Sequence, residues 1–147
     1  MTPPAGCHLV SVPPDKVALA WPSVRGLIFA AMKRGDLSSF GPVEDSVLRG
    51  DALLWLALSY EDNEVVRIDA AAVTELHRTE WRKVCVVVAC GAASRVSDRR
   101  RWIGLLEGIE DFARAEGCSA TRIIGRKGWA RVLTSYQAKR VVLEKEL

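Results

Sequence analysis

The chain has 147 residues, of which 49% are hydrophobic and 27% charged, and its formal net charge is +3. This length and balance predict a globular domain with its own core and exclude a disordered chain. No apolar run approaches the roughly 20 residues that a membrane helix needs, and the first residues lack the basic and apolar regions of a signal peptide. We therefore expect a cytoplasmic protein that does not bind membranes.

The cysteines and histidines do not form a metal-binding pattern. None of the four cysteines belongs to a C-x-x-C pair, and His8 and His77 lie far apart in the sequence. This arrangement favours free, buried thiols over a metal site. Cys85 and Cys90 are five residues apart, so on one regular strand their side chains would point to opposite faces.

The first elements in chain order are a strand and a helix. Residues 8–12 form the strand, and Pro14 can open a helical turn. We expect a kink or break at Pro22, because the residue before a proline is disfavoured in the helical region. The main helix then covers residues 22–34, and Gly35 ends it as a left-handed cap. Its inner face carries Val24, Ile28, Ala31 and Met32.

A second short helix and a β hairpin follow. The helix covers residues 42–49 and ends at Gly50, again with a left-handed glycine. Residues 51–59 form the first strand of the hairpin, and the polar residues 61–64 form its turn. Residues 66–77 form the return strand.

The next elements form a β-α-β unit. Residues 84–89 are continuously apolar, which predicts an interior strand with both faces buried. Apolar residues at helical spacing predict a helix over residues 98–116. Ser97 is its expected amino-terminal cap and Gly117 its expected stop. A strand follows at residues 121–124.

A short helix over residues 129–136 and a strand over residues 140–143 complete the chain. The resulting order is β-α-α-β-β-β-α-β-α-β, with no repeats or interior linkers. Three neighbouring antiparallel strands followed by a crossover indicate an α/β (α+β) fold. We predict a single domain over residues 1–147 with a mixed, mostly antiparallel sheet flanked by helices.

Short motifs run through the whole chain, and the most specific is Gly125-Arg126-x-Gly128-Trp129-x-x-x-Leu133. The others support it by their order and spacing: Gly50-Asp51 with Trp55, Val73-Thr74-Glu75-Leu76, Ala89-Cys90-Gly91, Trp102, Ile109-Glu110, Ala113 and Gly117-Cys118. With the order of elements, these motifs resemble the GNAT superfamily of acyl-coenzyme A dependent N-acyltransferases. More closely, the chain is similar to a group of GNAT-like proteins that bacteriophages and prophages encode.

The resemblance implies a site for coenzyme A that is altered here. In the superfamily, a turn of the form Gln/Arg-x-x-Gly-x-Gly/Ala precedes the long helix, and its amides hold the pyrophosphate. Here only Gly91 is present, and Val96 stands where the backbone would have to approach closely. In an active enzyme, backbone groups of Cys90, Gly91 and Ala92 would meet the acetyl-coenzyme A thioester. The phosphates would contact Arg95, Arg99 and Arg100.

The resemblance also implies a catalytic acid and a base. The superfamily's acid is often a tyrosine on the last short helix, but its position here corresponds to Thr134. Tyr136 lies two residues later, a rotation of about 200° on a helix, and is the candidate acid if that helix is irregular. Glu75 and His77, on one face of the return strand, are candidate bases by residue type. The strand alternation places both on its more hydrated face.

Two basic turns are candidate contact surfaces. From residue 94 onward the chain carries twelve Lys or Arg against seven Asp or Glu. Residues 95–101 and 126–131 hold many of these charges, and positive charge at a helix amino terminus is locally unfavourable. The pattern suggests an anionic or acidic partner, although a solvated turn explains it more simply. Nucleic acid is the weaker alternative, because no nucleic-acid motif accompanies the charges.

Two hypotheses about function follow. In the first, the chain derives from a phage or prophage, has lost acyl transfer and needs no cofactor. It would bind a phage or host protein as a virion, assembly or accessory protein, in the bacterial cytoplasm or in the virion. In the alternative, it is a divergent N-acyltransferase that uses acetyl-coenzyme A.

Overall fold

The computed structural model of the protein describes residues 6–93, 99–124 and 133–147. Strands lie at Gly6–Ser11 (β1), Leu53–Glu61 (β2), Glu64–Arg78 (β3), Lys83–Ala92 (β4) and Ala120–Ile123 (β5). Helices lie at Val17–Gly35 (α1), Phe40–Arg49 (α2) and Arg99–Ala115 (α3), and a 3-10 turn at Pro14–Lys16 precedes α1.

Over these residues the strands form one mixed sheet in chain order. β1 to β4 pair antiparallel, and β5 lies parallel to β4. α3 connects β4 to β5, since parallel neighbours need a crossover connection. The predicted fold class, a mixed and mostly antiparallel sheet flanked by helices, is confirmed.

Apolar side chains cover both faces of the sheet. α1 and α2 pack on one face, called here the α1 face, and α3 packs on the other, called the α3 face. The α1-face core includes Val24, Ile28, Met32, Val47, Leu54 and Val73. The α3-face core includes Trp55, Ala72, Cys85, Val87, Ile109 and Ala113. β4 contributes to both cores, as predicted for an interior strand.

The hairpin between β2 and β3 turns at Asp62 and Asn63, whose φ angles are 49° and 68°. Positive φ at both central residues is what a two-residue type I′ turn requires. Asp and Asn tolerate this region better than other side chains. The predicted turn over residues 61–64 is therefore confirmed.

α1 starts earlier than predicted. It runs from Val17 through Pro22 as one helix, so the predicted break at Pro22 is wrong. Val17 and Trp21 are buried against the α1 face together with Val24. Burying two more side chains offsets the one helical hydrogen bond that proline cannot donate.

The left-handed cap of α1 is also displaced by one residue. Asp36, with φ of 47°, adopts the left-handed conformation instead of Gly35. The Asp36 N–H donates to the Met32 carbonyl at 2.8 Å, so helical bonding continues through Gly35. α2 ends as predicted, at Gly50 with φ of 84°.

β4 contains a bulge that the sequence pattern does not indicate. Val73 of β3 faces Ala89, and the next residue, Thr74, faces Val87, so Val88 is the extra residue of β4. A bulge shifts the alternation by one residue and bends the strand. Val88 and Ala89 both pack against the α1-face core.

The bulge overturns one prediction about the thiols. Cys85 and Cys90 both belong to the α3-face core, not to opposite faces. An odd spacing places two side chains on opposite faces only when the strand is regular. The extra residue Val88 shifts the alternation by one, so the side chain of Cys90 returns to the face of Cys85.

The carboxy-terminal elements differ from the prediction. No strand forms at residues 140–143: residues 137–147 are exposed and without regular structure. Val141 and Leu143 are 80% and 91% exposed, so the short apolar run has no buried face to favour a strand. The predicted helix over 129–136 lies partly outside the described residues. Its described end is a turn, in which the Tyr136 N–H donates to the Leu133 carbonyl at 3.1 Å.

Candidate functional site where β4 leaves β5

The sheet opens between β4 and β5. These strands pair from Val84 with Ala120 to Val87 with Ile123. β4 then continues over residues 88–92, and on its other side it stays paired with β3. Within the described ranges, this segment has no strand partner on its β5 side. The opening begins at the Val88 bulge, and bulges commonly terminate pairing beside functional sites.

At Gly91 the backbone of α1 lies very close to β4. A Cβ atom at Gly91 would lie 2.5 Å from the Leu27 carbonyl oxygen and 3.0 Å from its carbon. Both atoms belong to the backbone, so no side-chain rotation would relieve the contact. Gly91 is therefore needed for packing α1 on β4, whether or not a ligand approaches it.

Cys90 and Ala92 flank Gly91 and differ in exposure. Cys90 is half-buried on the α3 face, whereas Ala92 is exposed. Burial raises the pKa of the Cys90 thiol to about 11. At neutral pH the thiol is protonated, and because the thiolate is the reactive form, Cys90 is a poor nucleophile. Its contribution to the site is a small apolar wall.

An apolar cavity of about 40 Å³ lies beside the opening, between the sheet and α3. Trp55, Ala57, Ala70 and Ala72 line it from β2 and β3, Cys90 from β4 and Ile109 from α3. Val87 and Ile123, the last β4–β5 pair, also line it. The cavity can therefore take a small apolar group next to the free edge of β4.

The basic residues predicted to hold phosphates are only partly placed. Arg99 and Arg100 form the first residues of α3, whose first turn carries no acidic residue. The backbone amides of a helix amino terminus attract anions. Arg95 lies outside the described residues, as do residues 126–131 of the second basic turn.

Tyr136 lies at the other end of the β4–β5 pair. Its hydroxyl donates to Glu110 Oε2 at 2.7 Å. Burial, followed by this hydrogen bond, raises the tyrosine pKa, while a hydrogen bond with Thr121 opposes the change. Thr121 pairs with Cys85, which lies five residues before Cys90 on β4. The partners of Cys85 and Cys90 on β3 are Leu76 and Ala72, four residues apart, so roughly 13 Å separates the two levels and Tyr136 does not lie beside Cys90.

Glu75 and His77 form a weak ion pair on β3. His77 Nε2 lies 3.6 Å from Glu75 Oε1, with Glu75 half-buried and His77 exposed. Glu75 pairs with Val86, and the β3 partner of Cys90 is Ala72, three residues before Glu75. Along the strand that is roughly 10 Å from the level of Cys90. The two candidate bases are together, but they are not beside the opening.

Asp69 is a buried carboxylate near the opening that the sequence analysis missed. It is fully buried and lies at a register shift between β2 and β3. Its carboxylate accepts hydrogen bonds from the Ser59 hydroxyl and the Arg67 guanidinium. Its backbone carbonyl accepts the Ala93 N–H at 2.9 Å, which fixes the end of β4 against β3. The available signal was one acidic residue inside an otherwise apolar run.

Two classes of site are not found in the described part of the chain. No helix there is long and apolar enough to cross a membrane. No three His, Cys, Asp or Glu side chains of residues 6–93, 99–124 and 133–147 cluster as metal ligands would.

Comparison with known proteins gives matches among solved structures only. No protein-family model matches the chain, and no curated protein matches it. An aminoglycoside acetyltransferase from an uncultured soil metagenomic sample, in complex with sisomicin, superposes with a TM-score of 0.68 at 10% identity, covering 96% of each chain. A predicted acetyltransferase with acetyl-CoA from Clostridium acetobutylicum has a TM-score of 0.63 at 11% identity, covering 97% of this chain and 96% of that one.

A third similar structure is an acetyltransferase from Trypanosoma brucei. It has a TM-score of 0.65 at 11% identity and covers 97% of this chain and 100% of its own. Identities this low establish a shared fold and nothing more specific. The chain has the fold of the GNAT acetyltransferases.

Proposed function

We propose that this protein is an N-acyltransferase that takes its acyl group from an acyl-coenzyme A thioester. The observation that carries the proposal is the opening of the sheet at Val88, beyond which residues 88–92 of β4 have no strand partner on the β5 side among residues 6–93, 99–124 and 133–147; this side is called here the free edge. A free strand edge offers backbone N–H and C=O groups to an extended ligand. The acetyltransferase fold of the neighbours supports the same assignment.

The residues at the opening fit a thioester donor in two respects. Backbone groups of Cys90, Gly91 and Ala92 would bind the thioester arm along the free edge. The amino terminus of α3, with Arg99 and Arg100, would bind the phosphates, and Arg95 would add charge before it. With the glycine-rich turn missing, positive charge rather than close backbone approach would supply most of the phosphate affinity.

When bound, the donor supplies an activated acyl carbonyl with a thiolate leaving group. In the transfer, a C–N bond forms and the C–S bond breaks; the amine loses a proton and coenzyme A leaves as the thiol. Glu75, paired with His77, remains the proposed base. Since it lies roughly 10 Å along the strand from the level of Cys90, it would act through water.

The first experiment is calorimetric titration of the full chain with acetyl-coenzyme A, followed by an assay of thiol release with a panel of amines. We expect micromolar binding that weakens with added salt. The double variant Arg99→Ala with Arg100→Ala should bind at least about tenfold more weakly, through loss of charge-assisted phosphate contacts.

The matched control is Arg114→Ala, at the opposite end of α3, where the arginine forms only an exposed ion pair with Asp111. It should bind as the wild type does. Gly91→Val is unsuitable, because its side chain would collide with α1 even if no ligand bound. No heat of binding at millimolar acetyl-coenzyme A would overturn the proposed function.

The competing hypothesis is a protein that has kept the fold and lost acyl transfer, with a protein partner. The missing glycines at the turn after Gly91 favour it. Nothing in the comparisons bears on a bacteriophage origin, a virion role or a partner. The titration separates the two hypotheses, because a binding-only protein would give no heat with acetyl-coenzyme A.

A further inference from the structure

The cavity beside the opening is built by small residues. Ala57 of β2 faces Ala70 of β3, and Trp55 faces Ala72. The three alanines are 1%, 2% and 7% exposed, so they lie inside the protein and yet leave space on the α3 face. The residues that line an apolar cavity forfeit packing contacts, so a small apolar group that enters it gains both contacts and burial.

The position of the cavity connects it to the free edge of β4. Its lining includes Val87 and Ile123, the last pair before the strands separate, and Cys90, which pairs with β3 but lies beyond the described pairing with β5. A thioester held along residues 88–92 would have its acyl group next to the Cys90 wall. Resting on the proposed function, we infer that the cavity binds the acyl chain of the donor, and that the protein prefers a chain of about four carbons to acetyl.

The volume sets the length of the chain. A water-sized group needs roughly 10–15 Å³ of such a cavity, and a methylene group is similar in size. The cavity of about 40 Å³ therefore has room for a short chain, on the order of three carbon atoms, such as the alkyl part of a butyryl group. Acetyl would fill about a third of it, and an octanoyl chain would exceed it.

Affinity should follow the buried chain. Each buried methylene contributes about a three- to fourfold gain in binding. Butyryl-coenzyme A, with two more methylenes than acetyl-coenzyme A, should bind about tenfold more tightly. Octanoyl-coenzyme A should bind no more tightly than butyryl-coenzyme A, because its additional carbons find no room.

The test is calorimetric titration of the full chain with coenzyme A and with its acetyl, butyryl and octanoyl esters. Ala57→Val and Ala70→Val, made separately, each place two methyl groups in the cavity. In both variants the preference for butyryl over acetyl should fall below about twofold while acetyl binding is kept. Thermal unfolding shows whether each variant is folded. If one of the two does not fold, the other still provides the test. Ala115→Val, at the exposed end of α3, is the control and should keep the tenfold preference.

The outcomes distinguish failure of the acyl-chain site from failure of the proposed acyltransferase function. Acetyl and butyryl esters that bind equally tightly, or valine variants that keep the tenfold preference, would overturn the acyl-chain site and leave the proposed function standing. If neither coenzyme A nor any ester binds, the proposed function fails and the acyl-chain site fails with it.

Discussion

At the scale of single residues, the hydrogen bond of Tyr136 to Glu110 leads to a test of its predicted role. Its hydroxyl hydrogen bond to Glu110 and its raised pKa hold the proton in place, roughly 13 Å along the sheet from the level of Cys90. We expect Tyr136→Phe to lower the free energy of unfolding by about 1–2 kcal/mol, because the half-buried Glu110 loses its donor. Urea unfolding measures this change.

The same variant tests Tyr136 as a catalytic acid. Loss of a general acid typically costs about 10²–10⁴ in rate, whereas a tyrosine with a structural role should cost less than about tenfold. Steady-state kinetics with Tyr60→Phe as control would separate these results. A hundredfold fall in kcat, together with loss of the basic limb of the pH profile, would restore Tyr136 as the acid.

The buried thiols should make stability depend on alkaline pH. Burial, and secondarily the neighbouring Cys118, raises the pKa of Cys85 to about 11, while Cys85 is fully buried. A thiol with a raised pKa in the folded state favours folding while it is protonated. This contribution to stability is fully present below the unfolded-state pKa of 9.0 and is lost as pH rises towards 11. Cys90 acts in the same direction.

We therefore expect the free energy of unfolding to fall between pH 9 and 11 by about 2 kcal/mol per thiol. Guanidinium unfolding at several pH values measures the slope, and Cys85→Ala should remove about half of the thiol part. A stability that is flat across this range would show that the thiols are not desolvated as their positions imply.

At the scale of elements, the contact between α1 and β4 depends on one glycine. Gly91→Ala would place a Cβ atom 2.5 Å from the Leu27 carbonyl oxygen, so α1 would have to move. We expect a loss of about 1–3 kcal/mol in the free energy of unfolding, as for other overpacked cores. Gly26→Ala is the matched control: it lies within α1, has no atom within 4 Å of the added carbon, and should stabilise by about 0.5–1 kcal/mol. Equal effects of the two substitutions would contradict the close contact.

The sequence predicts those elements whose signals are local. The turn at Asp62 and Asn63, the end of α2 at Gly50 and the crossover helix α3 follow from turn chemistry and periodicity. The bulge at Val88 could not be predicted, because in a continuous run of Val, Ala and Cys every residue suits either face. The predictions at Pro22 and at residues 140–143 were wrong because contacts with distant elements outweigh the local pattern. Burial of Val17 and Trp21 keeps α1 helical through Pro22, whereas residues 140–143 have no buried face to favour a strand.

The candidate site shows the same division between local and distant signals. Cys90, Gly91 and Ala92 became candidates through the resemblance to the GNAT superfamily, and they form the last residues of β4. The cavity could not, since it depends on which alanines of β2 and β3 face each other, as Ala57 and Ala70 do. Tyr136 and Glu110 are 26 residues apart, and no spacing rule connects them.

At the scale of the whole molecule, β4 joins two differently supported parts of the sheet. Over residues 84–87 it lies between β3 and β5, and over residues 88–92 it is paired with β3 alone within the described ranges. Local stability follows the number of backbone partners and buried contacts. We therefore expect amide hydrogens of residues 84–87 to exchange only through global unfolding. Amides of residues 88–92 that point away from β3 should exchange at least about 100-fold faster.

Hydrogen exchange followed by NMR resolves the two segments of one strand, and β3 provides the internal reference because it is paired on both sides. If acetyl-coenzyme A binds along the free edge, it should slow exchange over residues 88–92 and leave residues 84–87 unchanged. Uniform protection along β4 in the free protein would mean that the edge is already covered. An acyl thioester would then have to bind elsewhere.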